Sequence, residues 1–134
     1  MRCASMSREL PDLSGYSISA LLDMGVDERN FCPWFKFSAL TQLLTLRVVG
    51  LVHMSCSRAW EDRFAGDSNV LEISNDRRKL TSGDLSGYPW NEPSLEAIPE
   101  LTVIKIEGGL IMTVICDSFE VALEPLSRQY PHMV

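Results

Sequence analysis

The feature that most constrains the fold is a glycine pair between two β-branched runs in the last third of the chain. Leu101 to Glu107 and Leu110 to Cys116 are rich in valine, isoleucine and threonine, and Gly108-Gly109 separates them. A Gly-Gly pair supplies the positive φ angles that a two-residue hairpin turn requires. The sequence therefore predicts a β-hairpin, followed after a second tight turn at Asp117-Ser118 by a third strand, Phe119 to Glu124.

A two-residue turn sets the register of this hairpin, because side chains alternate between the two faces of a strand. It pairs Lys105 with Met112, and it predicts a core face made of Leu101, Val103, Met112, Val114, Cys116, Phe119, Val121 and Leu123. The other face combines an apolar stripe with carboxylates: Ile104, Ile106, Ile111, Ile115, Glu120 and Glu124. A solvated sheet face seldom carries such a stripe, so we expect a cover for it. The candidates are the connection around Trp90, a helix or another molecule.

Helices are predicted in the first half of the chain. Ser17 to Met24 reads as a short helix with Gly25 at its C-terminal end. From Ser38 onward, apolar side chains recur at the three-and-four spacing of an amphipathic helix. Past Val49 the chain could instead become a strand, because β-branched residues follow and Gly50 interrupts them. We favour one helix continuing to Phe64.

The predicted fold is α+β: N-terminal helices packed on a C-terminal antiparallel meander sheet of about five strands. Val70 to Ser74 and Lys79 to Thr81 supply two of these strands, around a turn at residues 75–78. The length of 134 residues fits a single domain, 1–134. Within it, residues 1–13 are predicted to be a loose arm and residues 127–134 a loose tail.

The four cysteines, Cys3, Cys32, Cys56 and Cys116, form no CxxC pair and follow no secretory signal pattern. We therefore expect a reducing compartment, the cytoplasm. The most apolar segment, Ala39 to Cys56, has about the minimum length of a membrane span and contains Arg47 and His53. It is interpreted as core, and no membrane association is predicted.

Negative charge is concentrated in the C-terminal third of the chain. Residues 84–124 contain eight acids and one base, against a net charge of −6 for the whole chain. Nucleic acid is disfavoured as a partner, because phosphate binding needs a local surplus of lysine and arginine. A protein partner with a basic surface fits this distribution better.

No nucleotide-binding loop, zinc-ligand spacing or nucleophile motif occurs in the chain, so neither cofactor nor metal is predicted and no catalytic residue is assigned. The nearest reactive pair is His53 and Cys56, three residues apart and on one face if the segment is helical. An imidazole beside a thiol can lower the thiol pKa and create a nucleophile. In so apolar a segment, however, a cysteine is more often a small core residue.

These patterns favour a non-enzymatic protein–protein interaction module that binds a basic partner through an acidic sheet, as an immunity protein, an inhibitor or a chaperone would. The predicted contact residues are Trp90, Ile104, Ile106, Ile111, Ile115, Glu120 and Glu124. The alternative is a small enzyme or ligand-binding domain with a helix/sheet pocket near His53 and Cys56. A homodimer through the isoleucine face is compatible with either.

Overall fold

A computed structural model describes residues 10–58, 70–85 and 97–125 of the chain. The regular elements in these ranges are six β-strands and two short 3-10 helices, Leu13–Gly15 and Ser82–Leu85. The strands are β1 (Ile18–Asp27), β2 (Cys32–Ala39), β3 (Gln42–Arg58), β4 (Val70–Arg78), β5 (Leu101–Gly108) and β6 (Leu110–Pro125). They form one antiparallel sheet in the order β1-β2-β3-β6-β5-β4.

The predicted α+β fold is therefore wrong, because the segments predicted as N-terminal helices are strands. In β1, register shifts after Ile18 and after Leu21 interrupt the alternation of side chains and so imitate a helical spacing. In β3, both Leu43 and Leu44 are fully buried although they point to opposite faces. When both faces of a strand are apolar, apolar and polar residues no longer alternate along the sequence, and the remaining pattern resembles that of a helix.

The C-terminal hairpin forms, but in a register one residue away from the predicted one. Ile106, not Lys105, pairs with Met112. Neither Gly108 nor Gly109 has a positive φ, so the tight two-residue turn is not made. A shift of one residue moves a strand's side chains to the other face, which is why Ile104 and Ile106 lie in the core.

Two further predicted turns are also absent. β6 continues through Asp117-Ser118 as a single strand, with β3 as its second neighbour. β4 runs unbroken from Val70 to Arg78, so residues 75–78 belong to the strand. Residues 79–81, predicted as a strand, instead lead into the 3-10 helix Ser82–Leu85.

The long strands β3 and β6 both turn a corner at the same level of the sheet. Side chains of the core are normally two residues apart on a strand, but here Val48 is followed by Leu51, and Cys116 by Phe119. Gly50 lies between the first pair with a φ of 69°. Strands that change direction in this way allow one sheet to pack against itself.

The corner divides the sheet into two halves. The first half contains β1, β2, the start of β3 and the end of β6, and the second contains the end of β3, the start of β6, β5 and β4. Their inner faces share one core, whose largest fully buried members include Phe35, Phe37, Leu44, Leu46, Ile104, Ile106 and Met112. The outer edges, β1 and β4, lie close to each other.

The segment before β1 completes this core. Leu13 is fully buried, and its N–H donates to Asn75 Oδ1 at 2.8 Å. Asn75 Nδ2 in turn donates to the carbonyl of Pro11 at 3.1 Å. Residues 1–9 of the predicted arm lie outside the described ranges, and so does the predicted tail. The last residue of the predicted arm, Leu13, packs inside the protein.

A second, smaller core covers part of the outer face of the second half. It joins Leu80, Ile98, Leu101, Val103 and Ile115. The Asp84 carboxylate holds the chain next to Leu80 by accepting hydrogen bonds from Arg78 and from the backbone N–H of Thr81. The connecting segment is thereby fixed against the sheet.

Candidate binding face around Trp34

Near the β2–β3 turn the outer face of the first half buries Leu43, whereas farther along the strands it carries Trp34, an aromatic side chain that is only partly buried. Along β2 the side chains alternate, so that Phe35 and Phe37 enter the core while Trp34 and Lys36 point outward. A row of paired residues crosses four strands at the level of Trp34: Gly25, Trp34, Arg47 and Glu120. We call this surface the Trp34 face.

The indole of Trp34 lies directly over the backbone of β1 at Gly25. A Cβ atom at position 25 would be 2.5 Å from Trp34 Cζ2, which is closer than any real contact of this kind. Glycine is therefore required for the ring to lie flat on its neighbouring strand. The result is a half-buried aromatic side chain whose position is fixed by the fold itself.

Charged groups surround the ring. Lys36 Nζ is 5.5 Å from the Trp34 ring centroid, within range of a cation–π interaction. Arg47 Nη2 donates to Asp27 Oδ2 at 3.2 Å, and Arg47 Nη1 lies 4.0 Å from Glu120 Oε1. Because Arg47 is shared between two carboxylates, its charge is offset locally.

Carboxylates outnumber cations on the Trp34 face. Asp23 pairs with Lys36 across the β1–β2 ladder, and Glu124 pairs with Leu43 at the far end of β6. Together with Asp27 and Glu120, this gives four acids against Lys36 and Arg47. The Glu120 side chain is 68% exposed, more than its ion-pair partner Arg47 at 41%. The face can accept ammonium or guanidinium groups around a flat apolar centre.

The predicted contact residues are dispersed by the corrected register. Ile104 and Ile106 are in the main core, and Ile115 is fully buried under the second core. Ile111 alone of the four is open, with 44% of its surface exposed. The predicted isoleucine stripe is therefore not a surface, whereas Glu120 and Glu124 lie together on the Trp34 face. Trp90 lies outside the described residues.

The structure does not bring His53 and Cys56 together. The two residues are three apart on a continuous strand, and their side chains therefore leave opposite faces. His53 pairs with Ile115 on the outer side, whereas Cys56 pairs with Met112 on the inner side. Only a helix over this segment would place both on one face.

Neither a metal-binding cluster nor a membrane-spanning helix occurs in the described part of the chain. Residues 10–58, 70–85 and 97–125 contain no group of three or more His, Cys, Asp or Glu side chains placed to hold a metal ion. Over the same residues we find no helix with the length and hydrophobicity of a membrane span. The cytoplasmic location stays a prediction.

Sequence reasoning misses the centre of this face. Trp34 is not among the contact residues predicted from the sequence, and Gly25 is interpreted there as the end of a helix. The signal that could have found the face is the run from Trp34 to Phe37, in which two aromatic core residues alternate with a tryptophan and a lysine.

Comparisons of the chain with protein-family models, with curated proteins and with solved structures found no match.

Proposed function

We propose that this protein is a non-enzymatic protein–protein interaction module that binds a basic partner through the Trp34 face. The observation that carries the proposal is the row Gly25, Trp34, Arg47 and Glu120, an aromatic group held flat on the sheet and bordered by carboxylates. Immunity proteins, inhibitors and acidic chaperones act by this kind of capture, and the proposal places the chain in that broad class.

The chemistry of the face favours a protein partner. Tryptophan is enriched among the residues that contribute most to the affinity of protein interfaces, since it buries a large area with few rotatable bonds. The half-buried indole, with its remaining surface open, supplies such a centre. The surrounding carboxylates form a polar rim, where charge complementarity raises the association rate and selects the partner.

The rigidity of the face also supports binding. The indole is confined between the β1 backbone and the neighbouring Lys36, so little side-chain freedom remains to be lost on association. The net charge of −6 extends the attraction beyond the contact area, which accelerates encounter with a basic surface.

A selection from random peptides tests the proposal and requires no candidate partner. Phage displaying random dodecapeptides are selected on the intact protein, and the binders are synthesised and measured by calorimetry. We expect the selected sequences to be enriched in lysine and arginine, and their affinity to fall as the salt concentration is raised from about 50 to about 500 mM. Selected peptides without basic residues would overturn the proposal.

Matched charge variants locate the contact. Glu120→Lys with Glu124→Lys changes the Trp34 face, whereas Glu72→Lys with Glu107→Lys makes the same charge change on exposed residues of the β4–β5 pair. We expect the first pair to weaken binding at least about tenfold, which is about 1.4 kcal/mol, and the second pair to have a much smaller effect. If both pairs of substitutions lowered the affinity equally, the peptides would be attracted only to the overall negative charge. That result would contradict the assignment of the contact to the Trp34 face.

A further inference from the structure

The turn between β1 and β2 exposes a phenylalanine in a strained backbone conformation. Phe31 has a φ of 51°, and 64% of its surface is exposed. The left-handed region costs a residue with a Cβ atom roughly 1 to 2 kcal/mol, and glycine or asparagine is the usual occupant. An exposed apolar side chain on a strained backbone contributes little to the stability of the fold. Its role is therefore to be sought in the binding of another molecule.

This turn is continuous with the Trp34 face. Asp27 Oδ1 accepts the backbone N–H of Arg29 at 3.1 Å, which shapes the turn, while Asp27 Oδ2 accepts the hydrogen bond from Arg47. One carboxylate thus connects the tip of the hairpin with the charged groups around Trp34. Phe31 belongs to this same turn, two residues after Arg29.

The same hairpin exposes further apolar side chains on β1. Met24 and Val26, on the same hairpin, are each 43% exposed. Residues 26–30 also line a shallow, open depression, to which Asp27, Glu28 and Arg29 contribute charges. The hairpin end therefore combines an open aromatic ring with a mostly acidic polar border.

We propose that Phe31 is an anchor that packs against apolar side chains of the basic protein partner. The inference rests on the proposed function, since it assigns a second contact to the same partner. A protein is favoured over an anionic lipid surface because Asp27 and Glu28 belong to the same hairpin end and the chain carries a net charge of −6, which such a surface repels.

The chain contains a natural control at the other end of β2. Leu40, in the turn between β2 and β3, has a φ of 59° and is 77% exposed. Phe31 and Leu40 flank the eight residues of β2, so they are separated by about 30 Å at the usual rise per residue. Phe31→Gly and Leu40→Gly both relieve a strained turn and both remove an exposed apolar side chain, but only the first changes the proposed contact.

The experiment measures the affinity of the selected basic peptides for the wild type and both variants, together with the thermal midpoint of each protein. We expect both variants to unfold at or above the wild-type temperature. We expect Phe31→Gly to lower the affinity at least about tenfold, Phe31→Leu to retain part of it, and Leu40→Gly to change it less than about twofold. A loss of affinity without a loss of stability cannot arise from misfolding.

The outcomes separate the two proposals. If the peptides bind in a manner that depends on Glu120 and Glu124, yet Phe31→Gly binds like the wild type, the anchor is refuted and the proposed function stands. An equal loss in Phe31→Gly and Leu40→Gly also refutes the anchor. If the selection yields no basic peptides, the proposed function fails and the anchor fails with it.

Discussion

A Cβ atom added to Gly50 would lie 2.7 Å from the Cβ of Asp117, so β3 and β6 approach each other closely at these two residues of the corner. Close by, Arg77 Nη1 donates to the backbone carbonyl of Asp117 at 2.6 Å and to Thr102 Oγ1 at 3.0 Å. A charged donor thus satisfies a carbonyl at the point where the sheet bends. Because one core spans both halves of the sheet, we expect damage to this corner to weaken their packing.

The first prediction concerns the corner directly. Gly50→Ala places a side chain at a φ of 69° and against the Asp117 Cβ, which belongs to the neighbouring strand and cannot simply rotate away. We expect a loss of about 2 to 4 kcal/mol in the free energy of unfolding, measured by denaturation in urea. Gly15→Ala is the control, because a Cβ there meets nothing within 4 Å. Equal stability of the two variants would refute the strained corner.

A second prediction tests the hairpin register. Ile106 is 1% exposed and Ile111 is 44% exposed, although the two-residue turn predicted from the sequence would put both on one outer face. We expect Ile106→Ala to lower the free energy of unfolding by about 2 to 5 kcal/mol and Ile111→Ala to lower it by less than about 1 kcal/mol, as measured by denaturation in urea. Similar losses of stability for the two substitutions would support the register predicted from the sequence and contradict the observed one.

These differences show what the sequence can and cannot predict. The strands β5 and β6 are recognisable because their β-branched runs are long, and their pairing is recognisable because a glycine pair separates them. The register is missed because it depends on the actual φ values of Gly108 and Gly109, which the sequence does not specify.

The helical interpretation of β3 fails for a different reason. Its side chains are buried on both faces near Leu43 and Leu44, so the period of a half-buried strand is absent. Its partner β6 is remote in sequence, and pairing between remote strands leaves no local signal.

The candidate site is predicted in part. Glu120 and Glu124 are selected for their position on a strand, and they do lie on the Trp34 face, beside Arg47 and Leu43 respectively. The centre of the face is missed because the role of Trp34 depends on Gly25 in the adjacent strand. That relationship exists only after β1 and β2 have paired.

A third prediction concerns acid stability. The hydrogen bonds from Arg78, supplemented by those from Thr81, hold the pKa of Asp84 well below its usual range, against the opposing effect of burial. Because the pKa is lower in the folded state, the charged form stabilises the fold above the ordinary carboxyl pKa. That contribution is lost progressively as the pH falls through and below this range.

Asp84→Asn is therefore expected to destabilise the protein at neutral pH by about 1.5 to 3 kcal/mol, the usual range for a hydrogen bond to a charged group. The difference from the wild type should shrink as the pH is lowered from about 5 toward about 2. Thermal unfolding of both proteins at a series of pH values in this range measures the difference in stability. A difference that stays constant with pH would show that the ionised carboxylate is not the stabilising group.

A fourth prediction concerns thiol reactivity. Burial, together with the nearby charge of Asp117, raises the pKa of the Cys116 thiol to about 12. Since the thiolate is the reactive form, Cys116 should resist alkylation at about pH 8 until the protein unfolds, whereas the exposed Cys56 should be modified at once. Timed alkylation with peptide mapping by mass spectrometry distinguishes the sites. Labelling of Cys116 as fast as that of Cys56 would contradict its place in the core.

The most direct test of the Trp34 face is an NMR titration of the intact protein with one of the selected basic peptides. We expect the largest shifts at the Trp34 indole N–H and at the amides of Gly25, Arg47 and Glu120, the row that crosses four strands. Shifts confined to β4 and β5, with the Trp34 indole unchanged, would place the binding surface on the other half of the sheet and contradict the proposed function.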